Sequence, residues 1–189
     1  MLRLTLIIFF TLVLSCCKSN PVVVIKTEFG DIKVELYKDR APVTVTNFLR
    51  YVKNNAFENS SFYRTVTMKN QPENDIKIEV IQGGLYDENK MYDPVKHEPT
   101  KVTGILHKDG VISMARLEPG TATSEYFICV GDQVELDYGG KRNPDGQGFA
   151  AFGKVIEGME VVKKIHVQPE NGQMLTPRIK VFNIIEFKD

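Results

Sequence analysis

Residues 22–37 read Val22-Val23-Val24-Ile25-Lys26-Thr27-Glu28-Phe29-Gly30-Asp31-Ile32-Lys33-Val34-Glu35-Leu36-Tyr37. The first six are β-branched apart from Lys26, the composition of a strand over 22–27. Gly30-Asp31 reads as a turn. Beyond it Ile32, Val34 and Leu36 alternate with Lys33, Glu35 and Tyr37, the period-two pattern of a half-buried strand. Together they make a β-hairpin. Working outward, strand-like runs recur at 62–68, at 111–115, at 126–130, at 149–155 and at 178–187. Ile76, Ile78 and Val80 alternate against Lys77 and Glu79 and predict another strand, ending at Gln82-Gly83-Gly84.

Helical spacing appears twice. Pro42 suits the first turn of a helix over about 43–53, where Val45, Phe48, Leu49 and Val52 share one face. Val161, Val162 and Ile165 mark a second, shorter helix over 158–165. The stretches 70–75 and 137–148 are polar and rich in turn formers, and 88–103 is mostly loop. Two short helices among roughly eight strands predict an all-β barrel or sandwich with helical plugs. A doubly wound α/β fold needs more helices between its strands.

The chain has 189 residues with 42% apolar and 25% charged residues and zero formal net charge. Such a length builds one compact domain with a sizeable core, and the charge balance gives no field that draws the chain to nucleic acid. Of three cysteines, Cys129 lies in the apolar run Tyr126-Phe127-Ile128-Cys129-Val130 and reads as a small buried hydrophobe. No zinc-ligand spacing and no disulfide framework is present. His97, His107 and His166 are scattered without a shared carboxylate pattern, so neither metal binding nor acid–base work is expected of them.

The beginning of the chain has its own character. Arg3 precedes eleven residues, 4–14, apolar except for Thr5 and Thr11. That run is short for a membrane span and suits the apolar region of a signal peptide. It ends in Val13-Leu14-Ser15-Cys16, which resembles a bacterial lipobox with Cys16 as the lipidated residue. Cleavage without lipidation and an uncleaved anchor are the alternatives. The expected organisation is a leader over 1–16, a tether over 17–21 and one domain over 22–189. Lipid attachment would anchor the chain without a spanning helix. No Asp follows Cys16, which by resemblance favours the outer membrane and a periplasm-facing place in a bacterial envelope.

Several short motifs then occur in a fixed order. They are Thr27-x-x-Gly30-x-Ile32, Ala41-Pro42-x-Thr44-Val45-x-Asn47-Phe48, Phe62-Tyr63-Arg64, Ile81-Gln82-Gly83-Gly84, Ser113-Met114-Ala115, Phe127-Ile128 and Phe152-Gly153-Lys154-Val155-Ile156-Glu157-Gly158. The series resembles the cyclophilins over essentially everything after Pro21. The resemblance implies a closed eight-stranded antiparallel barrel capped by two short α-helices, acting as a monomer without a cofactor. It also implies peptidyl-prolyl isomerase activity, here on exported proteins. The alternative is a weakly active or inactive, chaperone-like lipoprotein that binds proline peptides in the same groove.

The implied catalytic residues are Arg64 and Gln82. By residue type alone, Arg64 reads as a surface or ion-pair residue and Gln82 as a strand-end residue. Phe127 and Leu136 match the floor and wall of the family's proline pocket, while Val80, Met114, Ala115, Arg116, Glu125 and Phe149 match substrate-binding positions. Arg116 stands in place of a common Asn, Val80 in place of Met, and Phe149 in place of His or Tyr. Glu79 falls near a pocket Phe, with an insertion around 70–75 blurring the register. Glu125 replaces a Gln, and Glu135 an aromatic. These three carboxylates would rim the groove and favour basic neighbours in the substrate, pair with Arg64 and weaken it, or simply face water.

Overall fold

The computed structural model describes residues 19–188. The leader and Cys16 lie outside the described residues. β1 (Val22–Thr27) and β2 (Gly30–Leu36) form the expected hairpin, with Ile25 opposite Ile32. There follow α1 (Pro42–Lys53), β3 (Ser60–Val66), β4 (Val80–Gly84), α2 (Thr100–Thr103), β5 (Val111–Met114) and β6 (Tyr126–Cys129). The chain finishes with β7 (Ala150–Glu157), α3 (Met159–His166), β8 (Glu170–Asn171) and β9 (Met174–Glu186). The strands run β1-β2-β7-β5-β6-β4-β3-β9, and β9 pairs back onto β1. Every pairing is antiparallel, so eight strands close a barrel that leaves no free edge among them. The two-residue β8 pairs only with β9 as a hairpin arm.

The barrel is filled from the alternating inward faces and from α1. Phe48 of α1 sits 5.3 Å from Phe57, 5.6 Å from Tyr126 and 5.1 Å from Phe152 between ring centroids. Such tilted and edge-on aromatic pairs add to the burial of large apolar surface. The α1 terminus has no capping side chain of its own. Glu98 takes that role from a distant loop, accepting from the Val43 and Thr44 amides at 3.2 and 2.8 Å. A carboxylate there satisfies orphan donors at the positive end of the helix. α3 packs against β2, β3 and β4 through its buried Val161, Val162 and Ile165.

Two local expectations are corrected. Among the described residues a third α-helix joins the two expected ones, because Thr100–Thr103 winds a single turn inside a segment expected as loop. The alternating run at Ile76 and Ile78 is not strand; β4 starts only at Val80. Side chains occupy that backbone instead. Gln71 donates to the Ile78 carbonyl at 2.8 Å, and Arg142 donates to the Ile76 carbonyl at 2.5 Å. Apolar alternation there records burial of Ile78 without a pairing strand.

A second, smaller cluster of buried side chains lies apart from the barrel core. It gathers Val66, Ile78, Val80, Phe127, Cys129 and Leu136, with Ala115 and Phe149 packed on it. Cys129 is fully buried there, as its sequence setting predicts. Along β6, Tyr126 and Ile128 face the barrel core while Phe127 and Cys129 face this outer cluster.

Candidate functional site

The site begins with a fault in strand β3. Phe62 points into the barrel core and Val66 into the outer cluster, although they are an even number of residues apart. Strict alternation would place them on one face. The register shows the cause: Phe62 pairs with Gly83 and Arg64 with Gln82, leaving Tyr63 without a partner on β4. This bulge sets Tyr63 and Arg64 on the groove side instead of sending Arg64 after Phe62 into the core. Gly83 permits the close approach, since a β-carbon there would meet the Phe62 ring and the Ser61 carbonyl at 2.9 Å. Gly84, at φ +151°, leaves room for the Glu125 carboxylate, which a β-carbon would meet at 2.4–2.6 Å.

Arg64 donates from Nη1 to Gln82 Oε1 at 2.9 Å, and from Nε and Nη2 to Gln173 Oε1 at 3.0 and 2.6 Å. A guanidinium has five N–H groups, so one on each terminal nitrogen has no protein partner among the described residues. No carboxylate lies in ion-pair range of Arg64 among them. Burial, opposed by the Tyr63 phenol, holds its pKa below the usual arginine value. An arginine stays charged under such a shift. The result is a partly desolvated cation, fixed by neutral acceptors.

Beside this cation the outer cluster opens into a cavity of about 320 Å³, lined by Ile78, Val80, Phe127, Leu136 and Phe149 together with Ala115. Phe127 forms a floor, standing edge-on to Phe149 at 5.3 Å and stacked on the buried His107 at 5.9 Å. His107 in turn contacts Asp137 Oδ1 at 2.8 Å and Ser113 Oγ at 2.9 Å. A shared His–carboxylate pair, not expected from the sequence, thus exists. His107 and Ser113 are fully buried beneath the floor, where they brace it and have no access to a substrate.

A larger cleft of about 690 Å³ continues from this cavity, sharing Gln82, Ala115, Arg116 and Leu117 with it. Glu125 lines it. Its carboxylate accepts from the Tyr63 hydroxyl, and from the Tyr86 amide and Ser124 hydroxyl at 3.1 Å each. The Tyr63 oxygen also accepts from Gln82 Nε2 at 2.6 Å. A chain of hydrogen bonds therefore runs Arg64–Gln82–Tyr63–Glu125. Burial, then the neighbouring Glu125 charge, pushes the Tyr63 phenol well above its usual pKa and keeps it protonated.

The structure brings Arg64, Gln82, Val80, Ala115, Phe127, Leu136 and Phe149 to one cavity, as expected. It places other residues differently. Met114 lies in the barrel core opposite Tyr126 and does not reach the groove. Arg116 lines both the cavity and the cleft, as expected, while its guanidinium is occupied by Asp145 at 2.7 and 3.0 Å and by the Gly148 carbonyl, so that the side chain braces the 137–148 loop. Of the three expected rim carboxylates only Glu125 lines the groove, and it meets Arg64 only through two intervening side chains. Glu79 is bound through its backbone to Gln133 and Val130, and Ile78 takes the pocket place instead. The Glu135 carboxylate accepts from the Lys141 amide at 2.8 Å, folded back onto its own loop.

Sequence reasoning missed Gln173, Tyr63, Ile78 and Arg142, and the acidic residues Glu88 and Asp93 of the larger cleft. Arg142 lines the cavity beside Arg64, with burial first and the Arg64 charge second holding its pKa low. Gln173 and Arg142 carry no local mark, since they reach across 109 positions to Arg64 and 71 to Gln71. Tyr63 and Ile78 adjoin expected site residues, but the faces they present depend on the β3–β4 register and on the irregular backbone before β4.

A family model described as "Cyclophilin type peptidyl-prolyl cis-trans isomerase/CLD" matches residues 22–185. The peptidyl-prolyl cis-trans isomerase of Acinetobacter baylyi is 35% identical over 168 residues, covering 86% of this chain and 81% of that one. Peptidyl-prolyl cis-trans isomerase B of Escherichia coli is 33% identical over 144 residues, covering 74% and 80%. A crystal structure of a Cryptosporidium parvum cyclophilin-type isomerase, determined in the presence of the dipeptide Ala-Pro, superposes with a TM-score of 0.68 at 21% identity. That match covers 89% of this chain and 99% of the parasite chain, and shares the barrel. With the ordered motifs, the closed barrel and the family match all spanning the same domain, the chain belongs to the cyclophilin-type peptidyl-prolyl cis-trans isomerases.

Proposed function

We propose that this chain accelerates rotation about Xaa-Pro bonds in exported proteins, which it takes up as proline-containing peptides in the groove. The observation that carries this reading is Arg64, turned out of the core by the bulge and held at the rim of an apolar cavity with two N–H groups free. An amide before proline interconverts slowly because resonance stiffens its C–N bond, with a barrel-independent barrier of about 18–20 kcal/mol. In the twisted state the prolyl nitrogen regains lone-pair character. A fixed donor favours that state over the planar ground state and so lowers the barrier. The cavity over Phe127 holds the ring while the rest of the peptide turns. The Ala-Pro dipeptide accompanying the parasite protein is of the same substrate class.

The alternative, a binding module with an arginine quenched by an acidic rim, loses its main support here, because Glu125 is tied to Tyr63, Tyr86 and Ser124. The test is cis-to-trans conversion of short Xaa-Pro peptides by the protein and by Arg64→Ala. Catalysis that falls towards background in the variant supports the reading, and background rates for both proteins overturn it.

The same reading places the domain as a monomer on the periplasmic side of a bacterial envelope, with the outer membrane favoured. The support is the sequence alone: the apolar run at 4–14 and the Leu14-Ser15-Cys16 ending. The anchor in this reading is lipid at Cys16; among the described residues no helix is long and apolar enough to cross a membrane. The intact mass of membrane-extracted protein tests this, with unmodified Cys16 as the refuting result.

A further inference from the structure

The residue that holds Arg64 from behind is Gln173, and its setting is unusual. Gly172 and Gln173 form the two-residue turn between β8 and β9, at φ +57° and +75°. Turns with both central residues at positive φ favour Gly or Asn at each place. A glutamine there bears a conformational cost, and such cost at a site invites a functional explanation.

The side chain supplies one. Oε1 accepts both the Nε and Nη2 hydrogens of Arg64, while Nε2 donates to the Asn70 carbonyl at 2.9 Å. The two ends of the amide have opposite partners, so the network sets its orientation. The backbone is pinned as well: the Gln173 amide donates to Glu170 Oε2 at 2.6 Å, and its carbonyl accepts from the Thr65 amide at 2.9 Å. A glutamate of the same length would neutralise the guanidinium and face the Asn70 carbonyl with a charge. A neutral amide orients the fork and leaves its charge for the groove.

We propose that Gln173 is a positioning residue: it fixes the Arg64 guanidinium so that its two free N–H groups face the twisted amide. This rests on the isomerase reading of Arg64. Since Gln173 touches no substrate, its loss lowers kcat with little change in KM. Since the turn prefers glycine, Gln173→Gly has no conformational reason to lower stability.

The experiment measures kcat and KM for an Xaa-Pro tetrapeptide, and thermal midpoints, for the full-length protein and for Q173G, Q173N, R64A and the R64A/Q173G double variant. Asparagine also suits the turn but is one methylene too short. Both single Gln173 variants should lose about ten- to a hundredfold in kcat, keep KM within about twofold and remain fully folded at the assay temperature, with a midpoint lowered by only a few degrees for the side-chain hydrogen bonds they lose. The double variant should be no slower than R64A, because Gln173 acts only through Arg64. A slow R64A beside wild-type rates in Q173G and Q173N overturns the role of Gln173 alone. Losses that multiply in the double variant, or that are no larger than the fraction of protein unfolded at the assay temperature, overturn it too. A wild-type rate in R64A overturns the isomerase reading of Arg64, and the Gln173 role with it.

Discussion

Replacing Arg64 by lysine keeps the positive charge and removes the fork, which separates two accounts of the site. In the structure three different guanidinium nitrogens bond to protein, Nη1 to Gln82 and Nε with Nη2 to Gln173, on two edges of one plane. A single ammonium on a flexible stem keeps at most one of these partners. Each lost hydrogen bond costs about 0.5–1.5 kcal/mol net, towards the low end beside an open groove, so stability should fall by about 1 kcal/mol. The effect on catalysis is larger, since a preorganised donor aimed at developing charge contributes about 2.7–4 kcal/mol, or about 10²–10³ in kcat. The assay is cis-to-trans relaxation of an Xaa-Pro tetrapeptide at several concentrations, separating kcat from KM, with denaturant unfolding of both proteins in parallel. An Arg64→Lys protein within about threefold of the wild-type kcat would refute the reasoning, because charge without geometry would then suffice.

Three other outcomes are expected. The groove changes sign along its length, with Arg64 and Arg142 at the apolar cavity and Glu88, Asp93 and Glu125 in the adjoining cleft. Peptides with Lys on one side of proline and Glu on the other should therefore differ in kcat/KM when the two are swapped, and added salt should shrink the difference; equal rates at low salt sink the idea. Hydrogen bonding from Arg116, opposed by partial burial, holds the Asp145 carboxyl below its usual pKa. A folded-state pKa below the unfolded one means stability that is present above the usual carboxylate value and lost as pH falls through the folded one. Asp145→Asn should flatten part of the acid limb of a stability–pH curve, and an unchanged limb contradicts the pairing. Cys129 is fully buried, and burial raises its thiol pKa far above the ordinary range. It should react with a thiol reagent only as fast as the protein unfolds, whereas prompt labelling located by peptide mass at Cys129, and not at Cys16 or Cys17, argues against this core.

The legible parts of the fold were those carried by local periodicity. The alternation of Ile32, Val34 and Leu36 placed β2, and the spacing of Val45, Phe48, Leu49 and Val52 placed α1, because each pattern repeats on a short length scale. The same logic failed at Ile76 and Ile78, where Gln71 and Arg142 satisfy the backbone that a strand would have paired. It also could not place the carboxylates. Glu79, Glu125 and Glu135 look alike in sequence, yet only Glu125 faces the groove, through the room left at Gly84.

The sequence by itself determined a β-rich domain, the ordered motifs and the identity of Arg64, Gln82 and Phe127, since residue type and short spacing carry that information. The tertiary structure decided how Arg64 is used. One extra residue at Tyr63 reverses the facing of the strand, and a register shift shows only against the partner strand. Gln173 arrives from 109 positions away to fix the guanidinium, and contacts at that separation exist only once the barrel has closed.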